Sequence, residues 1–276
     1  MIYRPFTISP PPYDGSEQVE TLAGAIAYYE EHGIQTVSVQ PKYMGSYCCY
    51  YHWEGKKYWT TRSATMIYTH LDCFPDIPNN TVIEGELLPW RYFASGLIER
   101  DFVNPLYAIR DEIMLRQAHN YPLPVSSIDV DITIRELHKY TGDGEVTFKP
   151  FGVLVDRGRV IDNRAETFGQ YNQDPYWVVN TSDRPNLHFE LEGCVVKPIA
   201  DMLELCRQNV APALKVRNYD YLRLIYGPSY NAREIGRNRK VGGKIYESCR
   251  QYIQGYNRLM GISKPEVWLE DADTTL

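Results

Sequence analysis

The chain has 276 residues, 43 % of them hydrophobic and 23 % charged, with a formal net charge of −6. That size buries a sizeable core and holds one main domain plus a smaller module, so disorder is not the default. The negative balance excludes a protein whose main task is to coat duplex nucleic acid.

The N-terminus has no basic stretch ahead of an apolar run, and no segment reaches the roughly 18 apolar residues of a membrane span. No signal peptide and no membrane partner are expected. Cys48, Cys49, Cys73, Cys194, Cys206 and Cys249 form no CxxC pair, so neither a zinc site nor a redox motif is suggested. Reduced thiols in a cytoplasm are expected. Tyrosine, at 23 copies, suits β-rich cores and also stacks on bases.

In chain order, residues 16–32 read as an amphipathic helix. Ser16 caps it, Val19, Leu22, Ile26 and Tyr29 share a face, and Gly33 ends it. Strands are expected at Ile34–Val39, Tyr47–Trp53 and Lys57–Thr61, the last two joined by a turn at Glu54–Lys56, and again at Val82–Leu88. Residues 91–120 read as an inserted helical segment. Strands return at Phe151–Asp156, Trp177–Asn180, Cys194–Lys197 and Leu214–Arg217. From Tyr219 the pattern is helical, with Ile245, Cys249, Tyr252, Ile253, Tyr256 and Leu259 at helical spacing. The expected fold is α+β, with a core over 1–217, the helical insert at about 91–120, and a C-terminal helical module over 218–276. Between Arg207 and Arg250 ten Lys/Arg stand against three acids. This is either a solvated helical face or a phosphate-binding surface.

The chemistry-bearing residues come in an ordered series. A KxxG tetrapeptide occurs at Lys42, Lys139, Lys149 and Lys240. With glycine at about 7 % of positions, one match in ten lysines is expected by chance, so the tetrapeptide alone says little. Only Lys42 stands in a turn between two convincing strands, where Gly45 leaves room for close approach of a nucleotide. Downstream come Arg62, a cation for phosphate, and Glu84 and Glu86, which share one face of a strand. Phe151 opens another strand. Glu192 and Lys197 flank an apolar run, and Lys215 and Arg217 share a face of a short strand. An amine nucleophile, cations, carboxylates for a divalent metal and an aromatic are the parts that covalent nucleotidyl transfer requires. A lysine amine has a reference pKa of about 10.4, so attack needs desolvation or neighbouring cations to favour its neutral form.

With these residues in this order, the sequence resembles the covalent nucleotidyltransferase superfamily of ATP-dependent ligases and capping enzymes. More narrowly it is similar to the ligase domain of bacterial polynucleotide kinase-phosphatase-ligase RNA repair enzymes. The motifs are Lys42-Tyr43-Met44-Gly45-Ser46, Glu86-Leu87-Leu88-Pro89-Trp90, Glu192-Gly193-Cys194-Val195-Val196-Lys197 and Ala213-Leu214-Lys215-Val216-Arg217. The block from Tyr221 to Tyr230 lies beyond the shared motifs. The likeness spans residues 35 to 260. It implies a core of antiparallel sheets, with Lys42 as the adenylylated lysine and Arg62 on the nucleotide. It also implies Glu86 near ribose and metal, Phe151 on adenine, and Glu192 as the acid supporting metal and phosphate. Lys197 is adjacent in that motif, and Lys215 and Arg217 are phosphate cations. ATP and Mg²⁺ or Mn²⁺ are the implied cofactors. RNA ends are the implied partners, together with end-healing enzymes and a methyltransferase of the 3′-terminal ribose.

Two positions depart from the family pattern. Tyr47 stands where arginine is usual, and Gln40-Pro41 precede the lysine where an acid is common. Competing readings are a DNA ligase and a non-catalytic nucleotide- or RNA-binding module. The first normally appends an OB-fold where this chain reads as helical.

Overall fold

The computed structural model describes residues 7–11, 20–63, 65–67, 77–141, 144–230 and 241–262. Two antiparallel sheets form its centre. Helix α1 (Leu22–Glu31) starts where the Thr21 hydroxyl accepts from the Gly24 amide at 3.0 Å, and it gives way at Gly33, whose φ is +75°. Ser16 and Val19, expected in this helix, lie outside the described residues. Strands β1 (Thr36–Lys42), β2 (Ser46–Trp53), β3 (Lys56–Thr61), β4 (Met66–Ile67) and β5 (Thr81–Leu88) follow. The β2–β3 turn at Glu54-Gly55 has φ of 48° and 73°, the pair of positive values that a tight hairpin turn needs.

Helix α2 (Arg91–Ile98) runs through a π-helical turn (Glu99–Val103) into α3 (Asn104–Ala118), and α4 (Ser127–His138) completes the insert. The insert is therefore longer than the expected 91–120. Then come β6 (Thr147–Asp156), β7 (Arg159–Val160), α5 (Phe168–Tyr171), β8 (Trp177–Asn180), β9 (Gly193–Pro198), α6 (Met202–Arg207), β10 (Leu214–Arg217), α7 (Tyr219–Tyr226) and α8 (Val241–Ile262).

One sheet has the order β10-β9-β1-β8 and the other β4-β3-β2-β5-β6-β7. Helix α1 closes the outer face of the smaller sheet, burying Ala25, Ile26 and Tyr29 with Val37, Val39, Val196 and Leu214. The opposite face of that sheet carries polar and charged side chains. Cross-strand partners share a face, and the register pairs Lys42 with Gly193, Ser38 with Lys197, and Arg217 with Gly193. Lys42, Lys197, Lys215 and Arg217 thus stand on one face, four cations gathered by pleat and register alone.

The two described C-terminal helices, α7 and α8, pack on different parts of the core. Tyr221 and Leu224 of α7 pack into the insert's cluster with Ile98, Val130, Ile134 and Leu137. Ile245, Cys249, Tyr252 and Leu259 of α8 join the main core. The described part of the expected module over 218–276 thus contains two helices, each packed on a different part of the core. Residues 231–240, with Arg233, Arg237, Arg239 and Lys240, lie outside the described residues. Much of the remaining cation run is paired locally, Arg207 with Glu204, Arg223 with Asp129 and Arg250 with Glu247.

Candidate active site

Lys42 ends β1, and its Nζ lies 2.6 Å from Glu192 Oε1. Glu192 comes just ahead of β9 and is 5 % exposed. The register that sets Lys42 opposite Gly193 brings the two together. Gly193 has φ +136°, and a Cβ there would meet the Val216 carbonyl, so only glycine lets β9 and β10 close behind Glu192. Burial, together with the Glu192 charge within reach, pushes the Tyr221 hydroxyl of α7 up, so α7 borders the site.

The facing sheet supplies the second carboxylate. Glu86 on β5 is pushed up to about 7 by burial, with Lys42 pulling it down and the like charge of Glu192 pushing it further up. Arg62 and the Gly45 amide also act on it in the stabilising direction. Two carboxylates on opposite sheets therefore share the field of one lysine. Lys215 joins them from β10, its ammonium brought down to about 8 by burial first and then by repulsion from Arg217 and Lys42.

Glu84 shares its face with Glu86 but has a different fate. It is 1 % exposed and ion-paired with Arg164, and it accepts from the Tyr47 hydroxyl at 3.1 Å. Lys197 lies beside this pair, brought down to about 7 by burial, which the nearby Glu84 opposes. Its Nζ donates to the Phe151 carbonyl at 3.1 Å and lies 5.2 Å from the centre of the Phe151 ring. The Phe151 ring is in turn 6.0 Å from that of Tyr47, and the Arg62 guanidinium sits 4.7 Å over the Tyr47 ring.

Two positions read differently from the sequence expectation. Gly45 was expected to leave room for a nucleotide. That room is filled by β5, because a Cβ at Gly45 would meet the Leu87 carbonyl and the Glu86 side chain. Its glycine serves strand packing, and its amide serves Glu86. Arg217 was expected on phosphate. Instead its guanidinium is committed to Glu20 in a two-pronged pair, Nε to Oε2 at 2.9 Å and the NH2 nitrogen to Oε1 at 2.6 Å. Of the other KxxG lysines, Lys139 pairs with Glu136 and Lys149 with Asp174, and Lys240 lies outside the described residues.

Arg164 and Glu20 join the site without a sequence motif to announce them, alongside Gln40 and Tyr221. Gln40 is 1 % exposed, and its Nε2 donates to Ser38 Oγ at 3.0 Å and to the Ala165 carbonyl at 3.3 Å. Its Oε1 has no hydrogen-bond partner among the described residues. An orphaned buried acceptor costs about 1–3 kcal/mol, which a donor from a bound group would recover.

A cavity of about 930 Å³ opens beside the site and not over Lys42. Glu20, Glu136, Glu190 and Asp220 line it against Lys139 and Arg217, so it is a poor anion site. Lys42, whose side chain is partly exposed, lies outside this cavity. Among the described residues no group of three or more metal-binding side chains occurs, and no helix is long and apolar enough to cross a membrane.

Residues 187–268 match the family model of the PNKP adenylyltransferase domain, ligase domain. The chain resembles an RNA ligase of the nucleotidyltransferase type. The match takes in Glu192, Lys197, Lys215 and Arg217 but stops short of Lys42, Arg62, Glu86 and Phe151. A chain in the solved structure of a Pnkp1/Rnl/Hen1 complex superposes with a TM-score of 0.73 at 21 % identity, over 100 % of this chain and 94 % of that one. A chain in the structure of the Pnkp1/Rnl/Hen1 RNA repair complex gives 0.65 at 20 % identity, with the same coverage. At these identities the likeness is one of fold, the ligase nucleotidyltransferase fold, and it extends over the larger part of the chain that the family model leaves out. No curated protein sequence matched the chain.

Proposed function

We propose that this chain is an ATP-dependent RNA ligase that works through a lysine–AMP intermediate on Lys42, in RNA repair. The observation that carries this is the Lys42–Glu192 pair at 2.6 Å, set between Glu86 and Lys215 from separate strands. A surface lysine in a chance KxxG turn has no reason to stand at the meeting point of two sheets among buried charges.

The chemistry runs in three steps. Lys42, having lost a proton, attacks the α-phosphorus of ATP; a P–N bond forms, and the P–O bond to pyrophosphate breaks. A 5′-phosphate oxygen of the RNA then attacks the same phosphorus, the P–N bond breaks, and the lysine is regenerated. Finally a 3′-hydroxyl attacks the 5′-phosphorus and AMP leaves. Glu192 orients the amine through the direct pair. Lys215 and Arg62 stabilise the developing phosphate charge from positions fixed before the reaction, the arrangement in which electrostatic stabilisation is strongest. Phe151 and Tyr47 offer faces for the base. Arg217 acts indirectly, holding β10 in place through Glu20.

A divalent cation, Mg²⁺ or Mn²⁺, supplies charge neutralisation on the phosphates when bound. Glu86 and Glu192 would hold it. One or two carboxylates, with phosphate oxygens and water making up the rest, are the usual magnesium environment. The mutual repulsion of these two acids is the strain that such an ion would relieve.

Incubation with α-phosphate-labelled ATP and a divalent metal should leave label on the protein, lost in Lys42→Ala. Nicked or paired ends made of RNA should then be joined in preference to all-DNA ends. Label retained in Lys42→Ala would overturn the residue assignment, and equal joining of all-DNA ends would move the reading to a DNA ligase. The partner expectations of end-healing enzymes and a 3′-terminal ribose methyltransferase belong to this same reading. The Pnkp1/Rnl/Hen1 complexes in which chains of this fold are found support that reading.

A further inference from the structure

Tyr43 directly follows Lys42 and is 4 % exposed. Its hydroxyl is held from both sides. It donates to Asp174 Oδ2 at 2.8 Å and accepts from Asn172 Nδ2 at 2.9 Å. Asn172, 6 % exposed, also donates to the Pro150 carbonyl, and its Oδ1 accepts from the Asp174 amide at 2.8 Å. Lys149 Nζ takes the other Asp174 oxygen at 2.8 Å. Lys149 is itself the cross-strand partner of Glu86. Three stretches distant in sequence, 42–43, 149–150 and 172–174, are thus knotted around one phenol oxygen next to the Glu86 strand.

A phenol with both hydrogen-bonding roles occupied has little freedom, and it has only two side-chain torsions to restrict. Consecutive Cα atoms are about 3.8 Å apart, so fixing Tyr43 fixes the backbone from which the Lys42 side chain springs. Glu192 holds the far end of that side chain. Attack on phosphorus needs the amine at about 3–3.5 Å in the right line, and an error of about 1 Å costs on the order of 10²-fold in rate. A tie at the root of the nucleophile has that leverage and touches no part of the nucleotide.

We propose that Asp174 and Asn172 are positioning residues for Lys42, acting through the Tyr43 hydroxyl to fix the root of the nucleophile. The inference rests on the reading of Lys42 as the nucleophile. The bland reading of the same contacts is a staple that merely holds the 172–174 segment to β6. The two differ in what they do to separate steps. A positioning tie slows transfer of AMP onto the lysine. It leaves ATP binding alone, and it spares joining of RNA already carrying AMP on its 5′-phosphate, a step in which the lysine does not bond to phosphorus. A staple affects all of these together or none.

The experiment is single-turnover adduct formation at a series of ATP concentrations for wild type, Tyr43→Phe, Asp174→Ala, Asp174→Asn and the Tyr43→Phe/Asp174→Ala pair, with thermal midpoints. Joining of 5′-adenylylated RNA is followed in parallel. Tyr43→Phe and Asp174→Ala should each slow the maximal rate by roughly 10- to 100-fold, the range set by misplacement of a reacting atom. Half-saturating ATP and joining of adenylylated RNA should stay within about twofold. The pair should be no slower than the slower single change, because both act through one hydroxyl. Asp174→Asn, which keeps an acceptor for that hydroxyl, should recover most of the rate. Unchanged adduct rates, a shift in half-saturating ATP, equal loss of adenylylated-RNA joining, or failure of Tyr43→Phe to fold would each overturn the proposal. Adduct formation that survives Lys42→Ala would overturn the assignment of the nucleophile instead, and that result is read from a different variant.

Discussion

The Tyr47 ring lies beneath the guanidinium of Arg62, with Cζ 4.7 Å from the ring centre. Tyr47 occupies the position where the resembled family usually carries arginine, and its hydroxyl reaches back to Glu84. The cation near this edge of the site therefore comes from the end of β3, seated on an aromatic from β2. A cation–π contact at an exposed site is worth about 0.5–1 kcal/mol. Tyr47→Leu should accordingly raise half-saturating ATP by roughly two- to fivefold. Tyr47→Phe keeps the ring and should leave that value within about twofold, while losing about 1–3 kcal/mol of stability through the unpaired Glu84 oxygen. ATP titrations of adduct formation, with urea unfolding of both variants, separate the two roles.

Glu84 and Glu86 stand two residues apart on the same strand face and should respond in opposite ways. Glu84 and Arg164 form a buried ion pair, and removing one partner of such a pair costs about 3–5 kcal/mol. Arg164→Met should lower the unfolding free energy by an amount in that range. Glu86→Gln removes a carboxylate that burial and Glu192 already push up to about 7. It should leave stability at pH 7 unchanged or slightly higher and abolish adduct formation. A stable, fully active Arg164→Met would contradict the structural assignment of the pair.

Stability should rise with pH above neutrality. Lys197 is brought down to about 7 by burial from an ordinary 10.5. Between those values the unfolded chain holds a proton on this lysine that the folded chain has released. Unfolding then takes up protons, and stability increases with pH at up to about 1.4 kcal/mol per unit for one group. The cost of the buried charge is fully present below pH 7 and is gone above pH 10.5. Lys215, brought down to about 8, adds to the same slope from about pH 8 upward. Denaturant midpoints across pH 7 to 10 should climb in wild type and climb less steeply in Lys197→Met. Parallel curves would mean that Lys197 is not buried as a charge.

Gln40 gives a test that couples binding to folding. Its Oε1 is a buried acceptor without a partner among the described residues, but Gln40→Met also removes the donor to the buried Ser38 Oγ and Ala165 carbonyl. Those acceptors are left unpaired, so stability should fall by about 1–3 kcal/mol. Half-saturating ATP should rise. If ATP use is unaltered, the orphaned oxygen does not face the nucleotide.

Strand bounds were legible in local composition, and the motifs in their order along the chain. Strands β8 and β10 have the bounds expected from their β-branched runs, and the Lys42, Glu192 and Lys215 motifs meet because they lie on adjacent strands. Helix α4 was missed for a physical reason. Ile128, Val130, Ile132 and Ile134 alternate with polar residues, the period of a strand. Packing of Val130, Ile134 and Leu137 against Tyr221 and Leu224 makes a helix of it. The fully engaged Arg217 was also out of reach, because its partner Glu20 is 197 residues away. Nothing local marked Arg164, Asn172 or Asp174, whose roles arise only from what they touch.

The most direct measurement is peptide mapping of the protein after incubation with ATP and a divalent metal, read by mass spectrometry. The result expected is one AMP per chain, carried on the peptide that contains Lys42 and fragmenting to that lysine. Glu192→Ala and Lys215→Ala should remain folded, with little or no adduct. AMP on Lys139, Lys149 or any other lysine, or full adduct on Lys42→Ala, would contradict the assignment of Lys42 as the nucleophile.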